Sequence, residues 1–314
     1  MTARTRRRTT PPARTPGRPA RPTGRTRGRR ATIGAVAAAV VVLAAVVAAT
    51  VLRSDADAGD DRQARAGDFG HVHALAVDPG SGRVHLATHH GLYRVDDAAS
   101  AVRVSAHTSD LMGFAVTGPG HFVASGHPGA NDDGPGNLGL VESTDAGATW
   151  TATSLPGRAD FHGLRAAHGA LYGYNSTDGA FMVSTDRRTW EHRSLTAIGA
   201  FEVNPADPDE VLAVGRGGLR RSTDGGRGWH PLAQTPPLVV LTWQARQELF
   251  GADAEGVVWR SGDAGTTWQR RGHAGAPAHA MTWHATSLYL ATADERVLVS
   301  DDAGASWRTH YEPA

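Results

Sequence analysis

The chain has 314 residues, with 32 basic residues that are all arginine, 31 acidic residues, 38 glycines, 8 tryptophans and no cysteine. The lack of cysteine excludes disulfide staples, Cys-based zinc or iron–sulfur centres and a thiol nucleophile, and the lack of lysine excludes Schiff-base chemistry and a Walker-type phosphate loop. Residues 1–30 hold 11 arginines and no acid, which leaves 21 arginines against 31 acids in residues 53–314, a net charge of −10. That acidic body excludes nucleic acid as its main partner, because phosphate binding needs a basic surface.

Residues 1–30 read as a disordered Arg/Pro/Thr tail. Residues 31–52 form an uncharged run of Ala and Val. As a helix it would be about 33 Å long, enough for a hydrocarbon core of about 30 Å. Arginine on one flank predicts a cytoplasmic N-terminus and an extracellular body, with 31–52 as the contact to the lipid bilayer. Val47-Ala48-Ala49 keeps a cleaved secretory signal open as the alternative. Residues 53–67 read as an acidic linker.

From residue 68 onward the sequence repeats. Ser143-Thr-Asp-Ala-Gly-Ala-Thr-Trp150 returns with its serine at 184, 222, 261 and 300, at intervals of 41, 38, 39 and 39 residues. The copy at Ser184 lacks the glycine and is one residue short, and Gly91-Leu-Tyr-Arg-Val-Asp-Asp97 is a degenerate sixth copy. Each period holds four short alternating runs bounded by turn residues. Four strands per 40-residue unit predict an all-β, six-bladed β-propeller over residues 68–314, preceded by one transmembrane helix. With every blade contiguous in sequence, no strand is shared across the ring, and the junction of blades 6 and 1 is expected to be its weak seam.

The Ser-x-Asp-x-Gly-x-x-Trp pattern resembles the Asp-box (BNR) repeat of the sialidase superfamily, over about three quarters of the chain. The box residues Asp145, Trp150, Asp186, Trp190, Asp224, Trp229, Asp263, Trp268, Asp302 and Trp307 are read as structural. The carboxylate closes its own turn, the glycine takes positive φ and the indole fills the space between sheets. The strings His71-Val-His-Ala-Leu-Ala-Val-Asp-Pro79, Thr88-His-His-Gly-Leu-Tyr-Arg94 and Ser125-Gly-His-Pro128 resemble a group of actinobacterial membrane-anchored propellers that carry the label "glycosylhydrolase". Fold likeness transfers no reaction.

In such a propeller, the starts of first strands and the ends of second strands meet at one mouth of the central channel. This rule selects His71, His73, His89 and His90 in blade 1. It selects His127 in blade 2, with the loop Gly129-Ala-Asn-Asp-Asp-Gly-Pro-Gly-Asn137, and Asp160, His162, Tyr174 and Asn175 in blade 3. His71, His73, His89 and His90 are the candidate metal ligands for zinc or copper, imidazole being the common ligand for both. His127, His162, Tyr174 and Asn175 are candidate binding residues for a glycan or protein ligand. Against this stands a channel lined by histidines that hold only water and loop backbone.

Read as an enzyme, the chain would be a glycoside hydrolase, with Asp160, Glu202, Asp132 and Asp133 as carboxylate candidates. The sialidase resemblance implies an arginine triad and an Arg-Ile-Pro motif. The motif is absent and the ligand face offers chiefly Arg158 and Arg216, so sialidase activity is not expected. The reading that emerges is a membrane-anchored binding or assembly module with a His-rich axial pocket. The alternatives are an exo-acting glycosidase on extracellular glycans and a pure protein-interaction scaffold.

Overall fold

The computed structural model of the chain describes residues 69–130, 132 and 134–313. The tail, the apolar segment 31–52, the linker and Asp133 lie outside the described residues. Among the described residues no helix is long and apolar enough to cross a membrane.

Six four-stranded antiparallel sheets follow one another, each with its strands in sequence order. They occupy residues 72–103, 110–154, 161–195, 200–231, 238–273 and 278–311, hereafter blades 1 to 6. The first strands of all six blades line one axial cavity, at His73–Leu75, Met112–Phe114, His162–Arg165, Gly199–Phe201, Val239–Leu241 and His279–Met281. First strands are therefore innermost and the chain works outward within each blade. The fold is a six-bladed β-propeller.

The repeated turn explains how the blades hold together. In blade 2, Ser143 Oγ donates to Asp145 Oδ1 (2.8 Å), and Asp145 accepts the Thr149 amide (2.9 Å) and hydroxyl (2.6 Å). The Ser143 Oγ also accepts the Gly147 amide at 2.8 Å. Ser222–Asp224, Ser261–Asp263 and Ser300–Asp302 repeat the serine–carboxylate bond. In these four turns two successive residues take positive φ, as at Ala146 (58°) and Gly147 (92°). The shorter copy keeps only Arg187 in that region, at 61°, and Asp186 still accepts the Arg188 and Thr189 amides. A glycine is needed because the turn lies on the preceding blade. A Cβ on Gly226 (φ 91°) would stand 2.2 Å from the Phe181 ring of blade 3.

The turn also delivers its tryptophan to that neighbour. Trp150, Trp190, Trp229, Trp268 and Trp307 each join the apolar cluster shared with the blade before. The Trp190 indole N–H donates to Ser154 of blade 2 (3.0 Å), and the Trp229 indole N–H donates to Ser194 of blade 3 (2.9 Å).

Blade 1 has no such tryptophan. Its junction with blade 6 is nevertheless filled by Phe69, Tyr93 and Tyr311, whose rings meet at 5.0 and 5.4 Å around Phe69. The Glu312 amide adds a bond to Ala98 O of blade 1 at 2.9 Å. The strands are contiguous as expected and none is shared, but the seam is packed rather than open. The residue that fills it, Phe69, precedes the first strand and so carries no repeat signal.

Two outcomes follow from this packing. Phe69→Ala removes a fully buried ring and is expected to destabilise the propeller by about 3–5 kcal/mol in urea denaturation. A loss below about 1 kcal/mol would mean that the seam does not depend on it. His85 of blade 1 is 1% exposed, and burial holds its pKa at about 4 against an ordinary 6.5. The unfolded chain therefore takes up a proton that the folded chain refuses between those values. Stability is fully present above pH 6.5 and declines as the pH falls toward 4, by on the order of 3 kcal/mol. Urea midpoints from pH 7.5 to 4 should show this decline, and His85→Gln should lessen it, leaving the share of His71, which is also held at about 4. An equal slope in the variant would assign the decline to other groups.

Candidate functional site

At the mouth where first strands begin, histidines and aspartates alternate across blades 6, 1, 2 and 3. His73 and His89 come from the start of the first strand and the end of the second in blade 1. Asp110 opens the first strand of blade 2 (Asp110–Gly118). His73 Nε2 and His89 Nδ1 are 3.3 Å apart. Asp110 Oδ1 is 3.2 Å from the first and 3.0 Å from the second. The three donor atoms thus form a nearly equilateral triangle, and among the described residues this is the one group of three with metal-ligand spacing. Ligands 2.0–2.1 Å from a tetrahedral zinc stand about 3.3 Å apart.

The local backbone produces this convergence. First strands carry a β-bulge near their starts, between Val72 and Ala74, Leu111 and Gly113, Leu238 and Val240, and Ala278 and Ala280. In blade 3 the register shifts between Phe161 and Gly163. The skipped residues are His73, Met112, His162, Val239 and His279, and every one of them lines the axial cavity of about 100 Å³. A bulge re-aims the extra residue out of the two-residue alternation, and here it turns that residue toward the axis. Gly126, at φ 150°, lets the second strand of blade 2 approach closely, for a Cβ there would stand 1.9 Å from Asp110 O.

The electrostatics are those of a paired centre. Burial pushes the Asp110 carboxyl up, but the adjacent His73 and His89 more than offset it and hold the group well below the usual carboxylate range. Asp110 in turn raises the His89 pKa against the opposing effect of burial. His71 is lowered to about 4 by burial and by the neighbouring His279, His73 and His89. Its ring lies 4.7 Å from His73 and 3.9 Å from His279, centroid to centroid.

His127 extends the array. Its Nδ1 is 3.8 Å from Asp110 Oδ2 and its Nε2 is 3.5 Å from Asp160 Oδ2. Asp160 Oδ2 is also 2.7 Å from His162 Nε2 and accepts the Ser176 hydroxyl at 2.7 Å. The Asp160 side chain is only 7% exposed, and its Oδ1 is buried with no hydrogen-bond partner among the described residues. Burial pushes this carboxyl up, while His162 and Ser176 outweigh it and leave it lowered.

The structure therefore brings His73, His89, His127, His162 and Asp160 into one array, with His71 alongside. His90 is not part of the triangle, and its ring lies against Gly70. Asn175 holds the loop instead of lining the mouth: its Oδ1 accepts the Asp160 amide at 2.9 Å and its Nδ2 donates to Asp178. Tyr174 packs against the apolar cluster between blades 3 and 4. Asp132 sits in a lateral cleft near His107 and Ser109. Glu202 pairs with Arg165 (2.6 Å) beside a second cavity lined by Leu75–Val77, toward the far end of the shaft. Burial raises the Glu202 pKa, with Arg165 opposing.

Sequence reading missed Asp110 and His279. Both obey the rule that selected the other residues, since they stand at or next to the starts of first strands. Ser109-Asp110 looks like an ordinary turn acid, and His279 is hidden in the alternating run Ala278-His-Ala-Met.

No protein-family model matches the sequence. A xyloglucanase from Paenibacillus sp is 30% identical over 125 residues, which cover 32% of this chain and 12% of the xyloglucanase. The chain thus spans about an eighth of that relative's length. The GH74 xyloglucanase of Xanthomonas campestris superposes with a TM-score of 0.54 at 16% identity, covering 79% of this chain and 46% of that one. The GH74 enzyme of Niastella koreensis gives 0.54 at 16%, covering 78% and 46%. A chain of a nidogen/laminin complex gives 0.58 at 12%, covering 74% and 93%. At these identities the likeness concerns fold: this chain is a β-propeller resembling those of GH74 xyloglucanases and of proteins with other roles.

Proposed function

We propose that the protein is a membrane-anchored, extracytoplasmic binding module that captures a divalent transition metal, zinc or copper, at the axial mouth. The ligands are His73 Nε2, His89 Nδ1 and a carboxylate oxygen of Asp110. The observation that carries this reading is the triangle of donor atoms at 3.0, 3.2 and 3.3 Å. Three protein ligands leave a coordination position for water or an incoming ligand, as in zinc sites that do chemistry rather than hold a fold. His127 and His162, spread between Asp110 and Asp160, would meet that incoming group. The apolar run 31–52 supports the anchor, and the repeated turns support membership of the Asp-box propellers.

The test uses the full, untagged chain taken from membranes washed with alkaline carbonate, which leaves an integral anchor in place. After exposure to zinc or copper, elemental analysis should find about one equivalent per chain, absent in His73→Ala and in Asp110→Ala while the β-sheet circular dichroism is unchanged. Equal metal content in wild type and both variants would overturn the assignment. Loss of the protein into the carbonate wash would overturn the anchor alone.

A second reading, action on glycans, draws on the local similarity to a xyloglucanase. A glycosidase needs one carboxyl kept protonated near neutral pH. Asp110, Asp132 and Asp160 are all lowered, and the raised Glu202 is tied to Arg165 away from the mouth. The expected outcome is no turnover of xyloglucan or other β-glucans by the full chain. Reducing-end assays that show turnover abolished by Asp160→Asn would install the hydrolase in place of the binding module.

A further inference from the structure

A lateral cavity, of about 430 Å³, opens between blades 1 and 2 and shares no lining residue with the axial one. Its volume lies in the range of small-molecule sites. Leu92, Leu111 and Val141 form the wall on the sheet side, Leu138 and Pro135 come from the long loop of blade 2, and Trp150 closes one side. Polar groups gather in one corner. There Asp132 Oδ2 accepts the Ser109 hydroxyl (3.1 Å) and the Gly129 amide (3.0 Å), while among the described residues Asp132 Oδ1 faces His107 Nδ1 at 3.3 Å.

A carboxylate oxygen accepts more than one hydrogen bond, so Oδ1 keeps acceptor capacity. Burial pushes the Asp132 carboxyl up, but the Gly129 amide, His107 and Ser109 outweigh it and keep the group lowered, hence ionised at neutral pH. Among the described residues no arginine lines the cavity, so no permanent cation is built into its wall. An anion would be repelled. A sugar would turn most of its hydroxyls toward Leu, Val and Pro, where each buried unpartnered group carries a desolvation penalty. The complement is a molecule that is apolar over most of its surface and cationic at one end.

We propose that this cleft binds a small organic ammonium compound, its apolar body against Trp150 and the leucines and its ammonium donating to Asp132 Oδ1. The site is independent of the axial metal centre. It uses the loop 129–137 of blade 2, from which the axial array takes no residue. The bond to Asp132 is charge-assisted on both sides, and that sets the selectivity.

The test is calorimetric titration of the full chain, in the presence of a chelator, with three probes of equal shape: 2-phenylethylammonium, 2-phenylethanol and 3-phenylpropanoate. The ammonium should bind at one saturable site at least about tenfold more tightly than the alcohol, and the carboxylate should not bind. Asp132→Asn should reduce the ammonium to the level of the alcohol. Ala152→Phe, which fills the cavity from the outer strand of blade 2 and leaves Asp132 in place, should remove both. His73→Ala should change neither. Absence of saturable ammonium binding, equal affinity for the alcohol, or binding that survives Ala152→Phe would each overturn the proposal.

Discussion

Every blade of this molecule is a four-stranded sheet with apolar side chains on both faces, and neither face can be left in water. Each sheet therefore depends on a neighbour on either side, and the ring exists because six such sheets satisfy that demand together. Burial of a large side chain is worth about 1.5–3 kcal/mol relative to exposure, so the inter-blade clusters dominate the stability. Five junctions use the same device, a tryptophan carried back onto the preceding sheet by a turn that its own aspartate closes. The sixth, where the chain must meet itself, substitutes Phe69, Tyr93 and Tyr311. Sequence neighbours bind the first five junctions, and only long-range packing binds the last.

Closing the ring has a chemical consequence. It brings the starts of the first strands to a common mouth, and in every blade but the fourth a bulge there turns one residue toward the axis. Groups far apart in sequence then stand within a few ångströms. His73 and Asp110 are separated by 37 positions, yet their polar atoms are 3.2 Å apart. The same crowding fixes the charge pattern. Carboxylates alternate with imidazoles, so Asp110 and Asp160 stay ionised despite burial, while burial, and after it the neighbouring histidines, drive His71 and His279 toward neutrality. Metals are ligated by ionised carboxylate and neutral imidazole, so a metal at the triangle would displace the proton that Asp110 favours on His89.

Much of the fold was legible because it is written locally. A turn closed by aspartate needs only eight consecutive residues, and five copies at a near-constant interval announce the blades. The mouth was partly legible for the same reason, since strand starts and ends can be counted once the blades are placed. The failures concern direction. His71 and His73 are two apart and their rings lie 4.7 Å from each other, but the strand begins at Val72 and bulges at His73, and His71 is left out of the triangle. His90 follows His89 directly and leaves for Gly70. Glu202, one of the carboxylate candidates, lies with Arg165 further down the shaft.

The sequence by itself determined the architecture, six contiguous four-stranded blades, and the structural role of Asp145, Asp186, Asp224, Asp263 and Asp302, because periodicity and turn chemistry depend on near neighbours. It also determined that histidines from blades 1–3 share one end of the channel. Only the tertiary structure decided which of them meet, that Asp110 completes the triangle with His73 and His89, and that Asp132 belongs to a separate apolar cleft. The physical reason is that these outcomes rest on where bulges fall and on how adjacent sheets pack. Both are settled by contacts between blades, not by the residues on either side in the chain.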